Sequence, residues 1–214
     1  MIHTIGDSHC KFGFEKINNI NIHWLGPKCC YSFGKNKLQY INIRDFGIQE
    51  NDTIIFSLGE IDCRAHIYKF VTDEISFETI IDTIVENYFI AIKENIAQYN
   101  HLKTVIYNIV PPTDIHNKNI IHTEDELQKH VYIKHKDDFI PWKGPNDDRK
   151  KYHLYFNKKL QEYCQKNHFI FFDIYNKYTD ENGYLDRKYS DGDIHINNPI
   201  YITEFLQQLD PSIY

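Results

Sequence analysis

The chain has 214 residues, enough for one domain with a sizeable core, and its composition is 42% hydrophobic and 25% charged. A formal net charge of -6 argues against wholesale binding to nucleic acid or to an anionic membrane surface, both of which need a basic face. Five cysteines without a CxxC pair indicate neither a disulfide framework nor a zinc ribbon, and point to free thiols in a reducing compartment.

In chain order, residues 1–5 (MIHTI) form the first expected strand and residues 20–25 (INIHWL) the second, which ends at Gly26-Pro27. The continuous apolar run 53–58 (TIIFSL) reads as a buried parallel strand. Phe77, Ile80, Ile81, Ile84, Val85, Tyr88, Phe89, Ile92 and Ile96 recur at three- and four-residue steps, which predicts a long amphipathic helix capped by Ser76. Residues 104–110 (TVIYNIV) form a further strand stopped by Pro111-Pro112. A second helix from near Asp147 carries Tyr152, Phe156, Leu160 and Tyr163 on one face. Residues 169–174 (FIFFDI) complete the strands, and a last helix, with Asn198 as cap and Pro199 in its first turn, buries Phe205, Leu206 and Leu209. This alternation predicts one α/β domain, a three-layer α/β/α sandwich with a mostly parallel sheet.

A mixed-charge stretch at about 111–147, with His116, His122, His130 and His135, is too long for a simple connection. It is expected to be a surface insertion, with a short helix starting near Thr123-Glu124-Asp125-Glu126. The start of the chain shows no signal peptide and no run reaches the ~18 apolar residues of a membrane span, so a cytoplasmic protein is expected. The wealth of Ile, Asn, Lys and Tyr suggests an AT-rich genome, as in a virus or a low-GC microbe.

In parallel α/β sheets ligands gather at the carboxyl ends of the strands. Gly6-Asp7-Ser8-His9, Gly26 and residues 58–66 (LGEIDCRAH) fall there, and residues 190–197 (SDGDIHIN) precede the last helix. Nucleophilic catalysis needs a hydroxyl, an imidazole to take its proton, a carboxylate to orient that imidazole and donors for the oxyanion. Ser8, His195 and either Asp191 or Asp193 supply the first three, and the backbone N–H groups of Ser8 and Gly26 are candidate donors. His9 is set aside as the base, because neighbours in an extended segment point to opposite sides.

These blocks resemble, in order and over nearly the whole chain, those of the SGNH (GDSL-type) hydrolases. The resemblance maps the nucleophile block onto Gly6-Asp7-Ser8, the oxyanion glycine onto Gly26 (Gly34 being second choice), the third block onto Gly59-Glu60-Ile61-Asp62 and the last block onto the segment ending in His195. It implies hydrolysis of an ester, such as an O-acetyl or short acyl group on a carbohydrate or small molecule, without a cofactor or metal. Ile61 stands where that family carries an Asn donor. Arg64 is either a cationic replacement or a partner for Asp62 or Glu60. The residue three before His195 is Gly192, so the acid is Asp191 or Asp193; Asp191 keeps an Asp-Gly doublet. Gly59, Asp62, Arg64 and His66 are candidate substrate-side residues. Trp142 and Arg149 read first as exposed loop anchors, with substrate contact the alternative.

Other readings share these residues. An acyltransferase would use the same acyl-enzyme. A metal-dependent phosphoesterase would take Asp7 and His9 as ligands. A glycan- or protein-binding module would explain Ile61. A small-molecule or glycan ester is the expected partner, with no nucleic acid and no membrane; the oligomeric state is open.

Overall fold

The computed structural model describes residues 1–114 and 142–213. Five strands, β1 (Ile2–Gly6), β2 (Ile20–Trp24), β3 (Thr53–Ser57), β4 (Lys103–Tyr107) and β5 (Ile170–Phe172), form one sheet in the order β2-β1-β3-β4-β5, every pair parallel. Each lies within an expected apolar run or within one residue of it. The later four leave the ladder before their runs end, because Leu25, Leu58 and residues 108–110 and 173–174 already belong to the loops at the carboxyl edge.

Side chains alternate across the sheet and both faces are buried, which is why these strands read as continuous apolar runs. Ile5, Ile54, Phe56 and Ile106 point into one core with Phe33, Tyr88, Phe89, Phe156 and Leu160. These five come from α2 (Cys30–Asn36), α3 (Phe77–Ile96) and α4 (Asn146–Asn167). Ile2, Ile55, Val105, Tyr107 and Phe172 pack on the other side against Phe14 and against Ile202 and Leu206 of α5 (Ile200–Leu209). The result is a three-layer α/β/α sandwich.

Ser76 caps α3 as expected, its Oγ accepting from the Thr79 N–H at 3.3 Å. The last helix begins after Pro199 rather than through it, and Asn198 Oδ1 accepts the Ile200 N–H at 3.3 Å. Sequence periodicity missed α2 and the single turn α1 (His9–Phe12), both too short to show a repeating face. It also missed how polar the buried face of α4 is, for Arg149, His153 and Asn157 are buried beside Tyr152, Phe156 and Leu160. Asn157 binds both the N–H and the C=O of Ile109, at 2.7 and 2.8 Å, and so ties α4 to the chain leaving β4.

All five cysteines are free, and only Cys29 among them is not buried. No helix among the described residues is long and apolar enough to cross a membrane. The four insertion histidines and the expected helix near Thr123 lie outside the described residues.

Candidate active site

β1 stops where the chain must press against its neighbour. A Cβ on Gly6 would lie 1.8 Å from the Ser57 carbonyl oxygen, so no larger residue fits there. The Asp7 N–H donates to that same carbonyl at 3.1 Å, and the chain then turns into α1. Ser8 has helical dihedrals, φ -61 and ψ -24, so the segment is not extended at this point. This corrects the reason for setting His9 aside: helical geometry and burial, rather than strand alternation, send His9 inward, where it is 4% exposed. Asp7 is buried as well, and its Oδ1 accepts the His9 N–H at 2.9 Å. Burial, reinforced by the Glu60 charge, pushes the Asp7 carboxyl well above its ordinary pKa.

His195 Nε2 lies 2.9 Å from Ser8 Oγ, and His195 Nδ1 lies 2.8 Å from Asp191 Oδ2. With Nδ1–H given to the carboxylate, Nε2 turns a lone pair to the serine hydroxyl. A local loop makes this reach possible. Ser190 and Ile196 form an antiparallel bridge, the Asp191 N–H donates to the His195 carbonyl at 3.0 Å, and Asp191 Oδ1 accepts the N–H groups of Asp193 and His195. Burial, the largest single influence, raises the Asp191 carboxyl, but the hydrogen bond and charge of His195 together with the Asp193 and His195 N–H groups outweigh it and hold the pKa below the ordinary value. Of the two candidate acids, then, Asp191 is the one bonded to the imidazole. The Asp193 carbonyl accepts the Thr113 hydroxyl at 2.8 Å and anchors the loop. Phe12 braces the ring from the side, its centroid 4.3 Å from that of His195.

Gly26 follows β2 beside this turn, since Trp24 is in register with Gly6 and the Leu25 N–H donates to the Gly6 carbonyl at 2.9 Å. Its φ of +76 is left-handed, a conformation glycine adopts at no steric cost, and the space around its Cα is open. Gly34 is instead buried inside α2, where a Cβ would crowd Asn87 of α3.

The third block lies partly beneath the site. Gly59 has φ +122, and a Cβ there would come within 2.9 Å of Ile109 and 3.2 Å of Phe156. Asp62 is buried and accepts the Cys30 and Tyr31 N–H groups at 2.7 and 3.1 Å, which fixes the start of α2; burial lifts its pKa to about 6. Arg64 Nε donates to both oxygens of Glu60, at 2.7 and 3.0 Å, which settles its partner as Glu60 rather than Asp62. Burial opposes ionisation of Glu60, yet the Arg64 guanidinium and His9 outweigh it and hold the carboxyl far below the usual range. His9 Nε2 is 3.4 Å from Glu60 Oε2, close enough for attraction but poorly aligned for a hydrogen bond. Burial lowers the His9 pKa against the opposing pull of Glu60, and the ring lies 5.1 Å from that of His195. Ile61 contributes no polar side-chain atom. His66, half-buried, closes the π-helical turn Asp62–His66.

Arg149 is not an exposed anchor: it is 1% exposed, and its guanidinium donates to the Gly144 carbonyl and to Asn146 Oδ1. Trp142 lies with its ring centroid 5.9 Å from the Arg64 guanidinium carbon. The Glu60–Arg64 pair was weighed in the sequence, and its i,i+4 spacing was the available signal. The bracing by Phe12 had none.

No protein-family profile matches the chain, and no curated protein does. Solved structures do match it. A protein from Streptococcus pneumonia, provisionally described as a platelet activating factor, superposes with TM-score 0.62 at 18% identity over 97% of this chain and 82% of its own. A GDSL-like lipase from Bacteroides thetaiotaomicron gives 0.60 at 12% identity, over 97% and 86%. Phospholipase A1 from Streptomyces albidoflavus gives 0.53 at 8%, over 97% and 98%. The fold is therefore that of the SGNH (GDSL-type) hydrolases.

Proposed function

We propose that the protein is a serine ester hydrolase in which Ser8 is the nucleophile, His195 the general base and Asp191 the residue that orients and supports His195. The observation that carries this reading is the unbroken chain from Ser8 Oγ through the imidazole to Asp191, at 2.9 and 2.8 Å. His195 takes the hydroxyl proton as Ser8 attacks the ester carbonyl, then returns it to the leaving alcohol. Water, activated by the same imidazole, releases the acyl group. The oxyanion is received by the Ser8 and Gly26 N–H groups, neither of which has an acceptor among the described residues. Ile61 removes one side-chain donor, a loss that elsewhere costs ~3 kcal/mol of transition-state stabilisation. The substrate class proposed is a short acyl ester, an O-acetyl group on a carbohydrate or small alcohol. An alcohol in place of water would make the same acyl-enzyme a transferase.

A fluorophosphonate probe tests the nucleophile. Labelling of the wild type and none of Ser8→Ala is expected; no labelling, or equal labelling of the two, overturns the reading. Acetylated sugars and p-nitrophenyl esters of rising acyl length then define the acyl pocket. Ile61 favours one second reading, a binding module that has lost catalysis, and that protein would bind acetylated sugars without turning them over.

A further inference from the structure

Lys11 is one helical step beyond the nucleophile, and residues three apart on a helix share a face. The N–H groups of Lys11 and Phe12 both donate to the Ser8 carbonyl, at 3.1 and 3.0 Å, so this turn is rigidly attached to the site. The Lys11 ammonium lies 5.2 Å from the centre of the Phe12 ring and 4.7 Å from that of Trp24. Phe12 is the ring that packs on His195, and Trp24 is 51% exposed at the carboxyl end of β2. Among the described residues Lys11 has no carboxylate partner, although the chain carries 30 acidic residues against 24 Lys and Arg. Lys28, two residues past Gly26, repeats the arrangement: its ammonium sits 4.0 Å over Tyr40, again with no carboxylate.

By contrast, three acidic side chains near the nucleophile are committed, and a fourth, Asp7, is buried away from the rim. Asp191 holds His195, Glu60 holds Arg64, and Asp62 holds the start of α2. A positive charge is therefore kept at the rim, positioned by aromatic faces rather than neutralised. An exposed cation–π contact contributes only ~0.5–1 kcal/mol, less than the ~1.5–3 kcal/mol of a hydrogen bond to a charged group. An incoming anion can thus recruit the ammonium, and the exposed indole offers a flat apolar surface to the ring that bears it.

From this geometry we infer that the alcohol portion of the substrate is a ring carrying a negative charge, a carboxylate or a phosphate, recognised by Lys11 beside Trp24. The inference rests on the ester-hydrolase reading and names the substrate class of that site.

The test compares O-acetylated methyl glucuronoside with its neutral methyl ester, and with O-acetylated glucose 6-phosphate. In the wild type at low salt the charged esters are expected to be favoured over the neutral one by about tenfold in kcat/KM, mostly through KM. The preference declines with ionic strength, because Lys11 is partly solvated. Lys11→Met brings the ratio of charged to neutral ester close to one, whereas Lys158→Met, an exposed lysine of α4, leaves it unchanged. The ranking of glucuronate against phosphate identifies the anion.

Equal rates on charged and neutral esters in the wild type, or a ratio that survives Lys11→Met, overturn the inference while Ser8-dependent cleavage of p-nitrophenyl acetate leaves the esterase standing. If no ester is cleaved at all, the esterase reading fails instead. Calorimetry with glucuronic acid and its methyl ester then decides the inference separately: Lys11-dependent binding of the acid upholds it, and no binding overturns it.

Discussion

At the amino edge of the sheet His3 Nε2 lies 3.1 Å from Asp52 Oδ2, and at the carboxyl edge His195 Nδ1 lies 2.8 Å from Asp191 Oδ2. Both are histidine–aspartate pairs held by strand ends or by a loop beside them. The difference is what the second ring nitrogen meets. His3 Nδ1 faces another imidazole, His23 Nε2, at 2.9 Å, the two rings nearly parallel with centroids 5.2 Å apart. His195 Nε2 faces a hydroxyl at the same 2.9 Å. Burial also wins over Asp52 at His3 and lowers its pKa, which favours a neutral ring inside the fold. A histidine–carboxylate pair becomes a candidate base only where the far nitrogen has a proton to move and a reacting group can approach. At the amino edge the far nitrogen is occupied by a second imidazole and His3 is 3% exposed, so the pair reads as part of the scaffold.

The sharpest way to break the symmetry is at the carboxyl edge. Ser8→Ala and His195→Ala are expected to lower kcat on p-nitrophenyl acetate by ~10⁶, and Asp191→Asn by ~10⁴. Asp193→Asn should fall far short of Asp191→Asn, since its side chain is not the one bonded to the imidazole; equal losses would reverse the assignment. Beneath the site, Glu60→Gln removes the buried carboxylate that accepts both Arg64 Nε contacts and is expected to cost ~3–5 kcal/mol of stability in urea titrations.

His153 provides a pH test. It is fully buried, and burial lowers its pKa from 6.5 to about 4. The unfolded chain protonates this histidine first, so unfolding takes up a proton and stability falls as pH drops from 6.5 towards 4. At ~1.4 kcal/mol per unit the loss approaches ~3 kcal/mol, and the difference between wild type and His153→Gln across that window isolates it. At the amino edge, Asp52→Asn should cost ~1–3 kcal/mol while kcat/KM per folded molecule stays unchanged. A fall in kcat/KM there would mean that the two edges are coupled.

Much of the fold was legible because apolar runs and helical spacing are properties of chain neighbours. The run at 53–58 announced β3 since both of its faces are covered, and Phe77 to Ile96 announced α3 by its period. Ser8 was legible as a candidate by residue type and its place after a strand, and His195 by residue type and its place before the last helix. Three things were not. Asp191 lies four residues before His195 and Asp193 only two, so nearness along the chain favours the wrong partner for the ring; the Ser190–Ile196 bridge turns Asp191 back so that its Oδ2 meets His195 Nδ1. Arg149 sits among Asp and Lys residues that predict a solvated face, yet its side chain closes back onto the Gly144 carbonyl and is buried. The bracing of His195 by Phe12 joins residues far apart in sequence.

The sequence by itself therefore determined the layers, the parallel order of burial and the chemical groups delivered to the carboxyl edge, since these follow from local pattern. Only the tertiary structure decided which aspartate meets the His195 ring, that Glu60 holds Arg64, and that Lys11 stands over Trp24 and Phe12. Such pairings depend on distances between segments that meet only when the sheet closes; Ser8 and His195 are 187 residues apart. Hydrogen bonds and buried charges are decided over a few ångströms, a scale on which position along the chain carries little information.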